Sequence, residues 1–295
     1  MSGLLYSHMA LILDGRKVGE GIAAGLHAEF AEKAAAGFIV PCLAIVQIGN
    51  NKESEAYIRN KKKFGDRVGA SVMHVHLPEE ITEAEALREI SALNADESVH
   101  GIIVQLPLPK HLHKERLIEA VSWGKDVDGL GAMNVKGLWI NNAHTFMPAT
   151  TRGILAMLRY YNIEIAGKSV VIVGRSALVG KPTAMAFINA SATVTVCHSE
   201  TKDLEYHTLE ADIIVAAVGR PRLITRAHVK PHQVVIDVGT TVEEIPERRF
   251  SGDVDFDEVS KIVDAISPVP GGVGPLTVAS LFLNLRDAYL RKLVI

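Results

Sequence analysis

Two cysteines, Cys42 and Cys197, are too few and too far apart for a disulfide framework or a metal pattern. Their scarcity fits a reducing compartment, and a cytoplasmic location is expected. No apolar run reaches the length of a membrane span. No charged region precedes an apolar stretch with a small-residue cleavage site, so no signal peptide is expected. A basic excess is also missing: the formal net charge is −3, which argues against general nucleic-acid binding. Internal repeats, low-complexity tracts and long linkers are absent as well. What remains is an ordinary globular composition, 48% hydrophobic and 22% charged over 295 residues, enough for two cores. The opening Met1-to-His8 stretch, followed by a second methionine at Met9, reads as a vector remnant.

Helical and strand patterns alternate along the rest. Val18, Ile22, Leu26 and Phe30 recur at the spacing of an amphipathic helix. Strands are predicted at Cys42–Ile48, Val72–Leu77 and Ile102–Leu106, with helices at Ser54–Val68 and Ala84–Leu93. A second series begins near Thr151. It has helices at Gly153–Tyr161 and Ala184–Asn189, strands at Ser169–Val173, Thr193–Cys197, Ile213–Val218 and Val234–Val238, and a final helix at Thr277–Leu293. Such alternation predicts an α/β protein with parallel sheets and helical crossovers.

The strand Ser169–Val173 runs into Gly174-Arg175-Ser176-Ala177-Leu178-Val179-Gly180 and then a helix. Glycine admits a phosphate close to the backbone, and the helix-opening N–H groups favour an anion. The loop carries serine where a dinucleotide fingerprint has its second glycine, so an ordinary strand-to-helix turn is the alternative. The next strand ends at His198-Ser199 without the acid that binds an NAD ribose. Arg175 is suited to a 2′-phosphate, with His198 and Ser199 assisting. These features favour NADP, with Glu200 keeping NAD as the alternative.

Ser54, Tyr57 and Lys61 share one helix face. A tyrosine ring there can stack on a flat ligand, and a lysine transfers protons near neutral pH if burial lowers its pKa. The competing reading is a solvated basic helix with Ser54 as N-cap. Gln105-Leu106-Pro107-Leu108-Pro109 sits at a strand's carboxyl end, where ligands bind in parallel sheets. Lys125-Asp126-Val127-Asp128-Gly129 offers two carboxylates for the nitrogens of a heterocycle, or else a charged loop tip. No His/Cys cluster supports a metal. Pro268 to Pro275 is too rich in proline and glycine for a helix or an inner strand, and its glycines allow close backbone approach.

Together these motifs closely resemble the bifunctional methylenetetrahydrofolate dehydrogenase/cyclohydrolase family, from about Leu13 to the last helix. The resemblance implies two α/β domains flanking a cleft, the second Rossmann-like: a folate-binding catalytic domain of residues 9–149 plus 277–295, and an NADP-binding domain of residues 150–276. It implies Lys61 as the catalytic lysine, Tyr57 packing on the folate, Gln105 tuning the lysine and Asp128 holding the pterin. Ser54, Pro270, Gly271 and Gly272 would complete the substrate site. Gly174, Arg175, Ser176, Val179, Gly180, His198, Ser199, Gly219 and Thr240 would bind the cofactor. The implied reaction oxidises 5,10-methylenetetrahydrofolate with NADP to the methenyl form, which is hydrolysed to 10-formyltetrahydrofolate. A homodimer is implied, and the basic run Arg59 to Lys63 is suited by charge to a polyglutamate tail. Rival readings are a monofunctional dehydrogenase, a hydroxy-acid or amino-acid dehydrogenase, and a non-catalytic nucleotide-binding protein. The chain departs from the family pattern at Ala149 and Thr151, at Thr240-Thr241, and at Lys136, which pushes a glycine one place late to Gly137.

Overall fold

The computed structural model describes residues 9–243 and 249–293; the Met1-to-His8 stretch lies outside them. In chain order the elements are β1 (Leu11–Ile12), α1 (Gly15–Ala35), β2 (Cys42–Ile48), α2 (Lys52–Val68), β3 (Ser71–Leu77), α3 (Glu83–Ala95), β4 (Gly101–Val104), α4 (Lys114–Glu119), α5 (Ala132–Trp139) and α6 (Ala149–Tyr160). They continue with β5 (Ser169–Val173), α7 (Gly180–Asn189), β6 (Thr193–Cys197), α8 (Leu204–Leu209), β7 (Ile213–Ala216), β8 (Val234–Asp237), β9 (Thr241–Glu243), β10 (Arg249–Ser251), α9 (Phe256–Val259), β11 (Ala265–Ile266) and α10 (Val273–Leu293).

Two compact units result. The smaller sheet, ordered β3-β2-β4 and parallel, belongs to the unit of residues 19–149 and 278–295. Its central strand β2 is apolar but for Gln47 and buried along its whole length, as a strand covered on both faces must be. Helix α2 is set at both ends by local chemistry. Asn51 caps its N-terminus by accepting from the Ser54 N–H, and Gly69 ends it in the left-handed conformation. Ser54 is therefore not the N-cap; it lies inside the first turn, with its hydroxyl free for another partner. Thr82 and Glu85 form a reciprocal capping box on α3. Helix α10 contributes Phe282, Leu285 and Tyr289 to the core beside Phe30, Leu43 and Phe146.

The unit that contains residues 9–18 and the described part of 150–277 holds a six-stranded sheet ordered β1-β11-β8-β7-β5-β6. All its ladders are parallel. From β5 the chain goes to β6 on one side and then to β7 on the other. This reversal places a crevice at the carboxyl end of β5. One expectation is corrected: residues 9–18 do not group with the first domain. Leu11 donates to Asp264 O (2.7 Å) and Leu13 to Ile266 O (2.8 Å), which makes β1 the outermost strand of the larger sheet.

Candidate functional site

In the smaller unit, the proton-handling residues converge at the carboxyl end of β4. The Lys61 ammonium donates to Gln105 Oε1 at 2.7 Å. Gln105 Nε2 donates to its neighbour's carbonyl, Leu106 O, at 2.8 Å, so the amide orientation is fixed and its oxygen must face the lysine. The hydroxyl of buried Ser54 donates to the same carbonyl at 3.3 Å, tying the first turn of α2 to the strand end. Burial lowers the Lys61 pKa, and the Asp128 carboxylate works against that shift. Burial raises the Asp128 pKa, with Lys61 opposing it. Each group thus moves towards its neutral form. Tyr57, one turn before Lys61, leaves 57% of its surface exposed.

The two carboxylates of the Lys125–Gly129 loop have separate fates. Asp126 is buried and accepts from the N–H groups of Gly129 (3.1 Å) and Gly131 (2.8 Å) and from Asn134 Nδ2 (2.9 Å). It builds the loop and the start of α5. Burial nevertheless pushes its pKa up to about 6. Lys125 is likewise structural, donating to the carbonyls of Leu93, Asn94 and Asp96 at the end of α3. Only Asp128 is left half-buried with its electrostatic partner Lys61. Asn134 stands out by burial and by its bond to Asp126, neither of which the sequence marks. Its neighbour Gly137 is required where it stands, because a Cβ there would overlap Thr145 Oγ1.

In the larger unit, the Gly174–Gly180 loop crosses the carboxyl end of β5. Gly174 has φ +127°, and a Cβ on it would overlap Ala217 O; a Cβ on Gly180 would overlap Gly174 O. Ser176, in place of a second glycine, braces the loop before α7: its Oγ accepts from Val179 and Gly180 N–H at 3.2 Å each. Arg175 is exposed beside it. His198 follows β6 and accepts from the Glu200 N–H at 3.2 Å through Nδ1, with Ser199 exposed next to it. Gly219 and Thr240 follow β7 and β8. The loop can hold a dinucleotide phosphate: its glycines keep the backbone bare, and the cationic side chain is exposed.

Pro270, Gly271 and Gly272 lie in this unit and pack on the start of α1, where Gly15 N donates to Gly271 O at 2.9 Å. The departure at Thr151 has a local partner: its buried hydroxyl meets Thr183 Oγ1 at 3.0 Å.

A doubly wound sheet with a glycine-bounded loop, in one chain with a half-buried lysine on a parallel-sheet helix, defines the class as a nicotinamide-dinucleotide enzyme with its own proton-transfer group. Residues 13–128 match the model of the tetrahydrofolate dehydrogenase/cyclohydrolase catalytic domain, and residues 148–293 match that of its NAD(P)-binding domain. The chain is 45% identical over 283 residues to the bifunctional protein FolD of Agathobacter rectalis, covering 96% of this chain and 100% of that one. The crystal structure of FolD from Campylobacter jejuni superposes with a TM-score of 0.92 at 41% identity, covering 96% and 99% of the two chains. That of the Trypanosoma brucei enzyme, complexed with NADP cofactor and inhibitor, gives 0.91 at 37%, covering 97% and 99%.

The chain belongs to the tetrahydrofolate dehydrogenase/cyclohydrolase family. It is accordingly a bifunctional enzyme that oxidises 5,10-methylenetetrahydrofolate with NAD(P) and hydrolyses the methenyl product to 10-formyltetrahydrofolate.

Proposed function

We propose that Lys61 carries the proton transfers of this enzyme, that Gln105 holds it in place, and that NADP is the cofactor. The observation that carries the reading is the 2.7 Å bond from Lys61 to Gln105 Oε1. With that bond made, a neutral Lys61 keeps its lone pair available for a water proton. Burial shifts Lys61 towards the neutral form, because desolvation disfavours the ammonium. Bound NADP supplies the hydride acceptor for the oxidation. In the hydrolysis, water adds to the cationic methenyl carbon and its proton passes to Lys61. The lysine then returns the proton to the ring nitrogen as the carbon–nitrogen bond breaks. Asp128 accepts from the amino and ring nitrogens of the pterin, and the exposed Tyr57 ring offers the stacking surface, with Ser54 and the Pro270–Gly272 segment as further substrate contacts. A half-buried carboxylate suits that role, since its hydrogen bonds to the ligand replace lost water.

The unit of the larger sheet is the cofactor domain in this reading. Arg175 meets the 2′-phosphate that distinguishes NADP, assisted by His198 and Ser199, while Gly174, Ser176, Val179, Gly180, Gly219 and Thr240 line the dinucleotide. Support comes from the exposure of Arg175 and from the lack of a carboxylate at the end of β6, where Cys197 and His198 stand. A homodimer, a cytoplasmic location and attraction of a polyglutamate tail complete the proposal. No helix among the described residues is long and apolar enough to cross a membrane. For the tail, Arg59 already faces Glu55 at 3.9 Å and Lys62 contacts His74 at 3.4 Å, so exposed Lys63 is the readiest cation of the run.

The test is Lys61→Met assayed with 5,10-methylenetetrahydrofolate and NADP, with the folate product identified. Accumulation of methenyltetrahydrofolate without 10-formyltetrahydrofolate is expected. An unchanged hydrolysis rate would reject the role of Lys61.

A further inference from the structure

Two buried carboxylates lie under the loops at the carboxyl ends of β7 and β8, and the chemistry above uses neither. Asp253 accepts from three consecutive backbone amides: Val218 (2.6 Å) and Gly219 (3.0 Å) on Oδ2, and Arg220 (2.7 Å) on Oδ1. Asp237, the last residue of β8, accepts from the amides of Gly239 and Asp253 on Oδ1 and of Val254 on Oδ2, each at 2.9 Å. The donors in both sets are backbone, so what the pair holds is chain conformation. Two glycines make room for it: a Cβ on Gly239 would overlap the Asp253 carboxyl group, and one on Gly252 would overlap that of Asp237.

The segment held by Asp253 backs directly on the dinucleotide loop. The Cβ that Gly174 lacks would overlap Ala217 O, and Val218 Cγ1 stands 3.4 Å from the same position. Three N–H groups converging on one carboxylate leave residues 218–220 a single conformation, with Gly219 at φ +67°. An unheld loop with that backbone would have to be ordered at the moment of binding, and the ordering would weaken affinity.

We propose that Asp253, supported by Asp237, is a positioning residue that pre-forms the Val218–Arg220 wall of the dinucleotide crevice, and so serves cofactor binding and the dehydrogenase without serving the cyclohydrolase. The inference rests on the larger unit being the cofactor domain. Burial pushes the Asp237 pKa up to about 7.

The test is Asp253→Asn in the full chain. Its amide group must face either the Val218 and Gly219 amides or that of Arg220, donor against donor. NADP⁺ binding is measured by isothermal titration without folate, and methenyltetrahydrofolate hydrolysis is followed without nucleotide. The expected result is a Kd for NADP⁺ raised about 30-fold with hydrolysis unchanged. Equal losses of binding and hydrolysis would overturn the proposal. So would an unchanged Kd alongside a raised one in Ser176→Ala, which leaves the cofactor domain standing. If neither substitution moves the Kd, the cofactor-domain assignment falls and takes the proposal with it. Should Asp253→Asn lack a cooperative melt, Asp237→Asn carries the same comparison; a smaller rise in Kd supports the proposal and no rise overturns it.

Discussion

With the roles proposed above, the two units place function at the same position, the carboxyl ends of parallel strands, but build it from different atoms. Around Lys61 the working groups are side chains: an amine, an amide and a carboxylate, drawn from α2, the end of β4 and the loop before α5. Around Gly174 the working surface is mostly backbone, shaped by glycines, a serine hydroxyl and buried carboxylates. A reacting proton needs a titratable group whose pKa burial can move. A pyrophosphate needs helix-opening amides and bare backbone for its close approach. The difference implies that the first region is disabled by deleting atoms and the second by adding them.

The sharpest break in that comparison is Lys61→Met. Loss of the proton-transferring group should cost hydrolysis about 10³-fold in kcat while NADP⁺ affinity stays at the parent value, read by product analysis and titration. The converse is Gly174→Ala, which adds one carbon where φ is +127° and Ala217 O already stands. It should destabilise the larger unit by about 3 kcal/mol and abolish nucleotide binding while methenyl hydrolysis persists, as calorimetry and the nucleotide-free assay can check.

Acid should attack the smaller unit through His100. Its ring is 3% exposed, packs 5.0 Å from Tyr289, and accepts from the Cys42 N–H at 3.1 Å through Nδ1. Burial, with Lys292 and Lys125 nearby, lowers its pKa from 6.5 to about 4. The unfolded chain therefore takes up the proton first as pH falls. Stability from this group is complete above pH 6.5, declines between 6.5 and 4, and is gone below, a loss of about 3 kcal/mol. Urea unfolding at neutral pH and near pH 4 should show that slope and its loss in His100→Gln. The smallest effect is expected at Tyr289, whose buried hydroxyl has no hydrogen-bond partner among the described residues. Tyr289→Phe should raise stability by about 1 kcal/mol, seen as a higher Tm, with both activities unchanged.

Much of the architecture was legible because long strands and helices carry periodic signals. β2, β5 and β6 fall at the expected residues, and α2 begins two residues before the expected Ser54. The two-residue strands β1 and β11 have no period to read, so residues 9–18 were grouped with the wrong sheet. Shared helical spacing put Ser54, Tyr57 and Lys61 on one face, yet spacing could not show that Asn51 is the cap and that Ser54 turns to Leu106 O. Asp237 ends an apolar strand, and Asp253 follows a glycine in Gly252-Asp253-Val254. Nothing local marks either as a clamp, because their partners are amides from loops elsewhere in the chain.

By itself the sequence determined the class of the molecule: alternating strands and helices, a glycine-bounded loop after a β-branched strand, and a lysine one turn beyond a tyrosine. These are local patterns, set by period, turn chemistry and residue type. Tertiary structure alone decided which groups do chemistry and which hold the frame. Asp126 and Asp128 are two residues apart, but one is consumed by backbone amides and the other faces Lys61. Lys61 and Lys125 are both lysines in recognised motifs, but one meets a single amide oxygen under desolvation and the other three carbonyls at a helix end. The deciding quantities were burial and the partners brought across 44 residues in one case and about 30 in the other, and long-range packing alone supplies those.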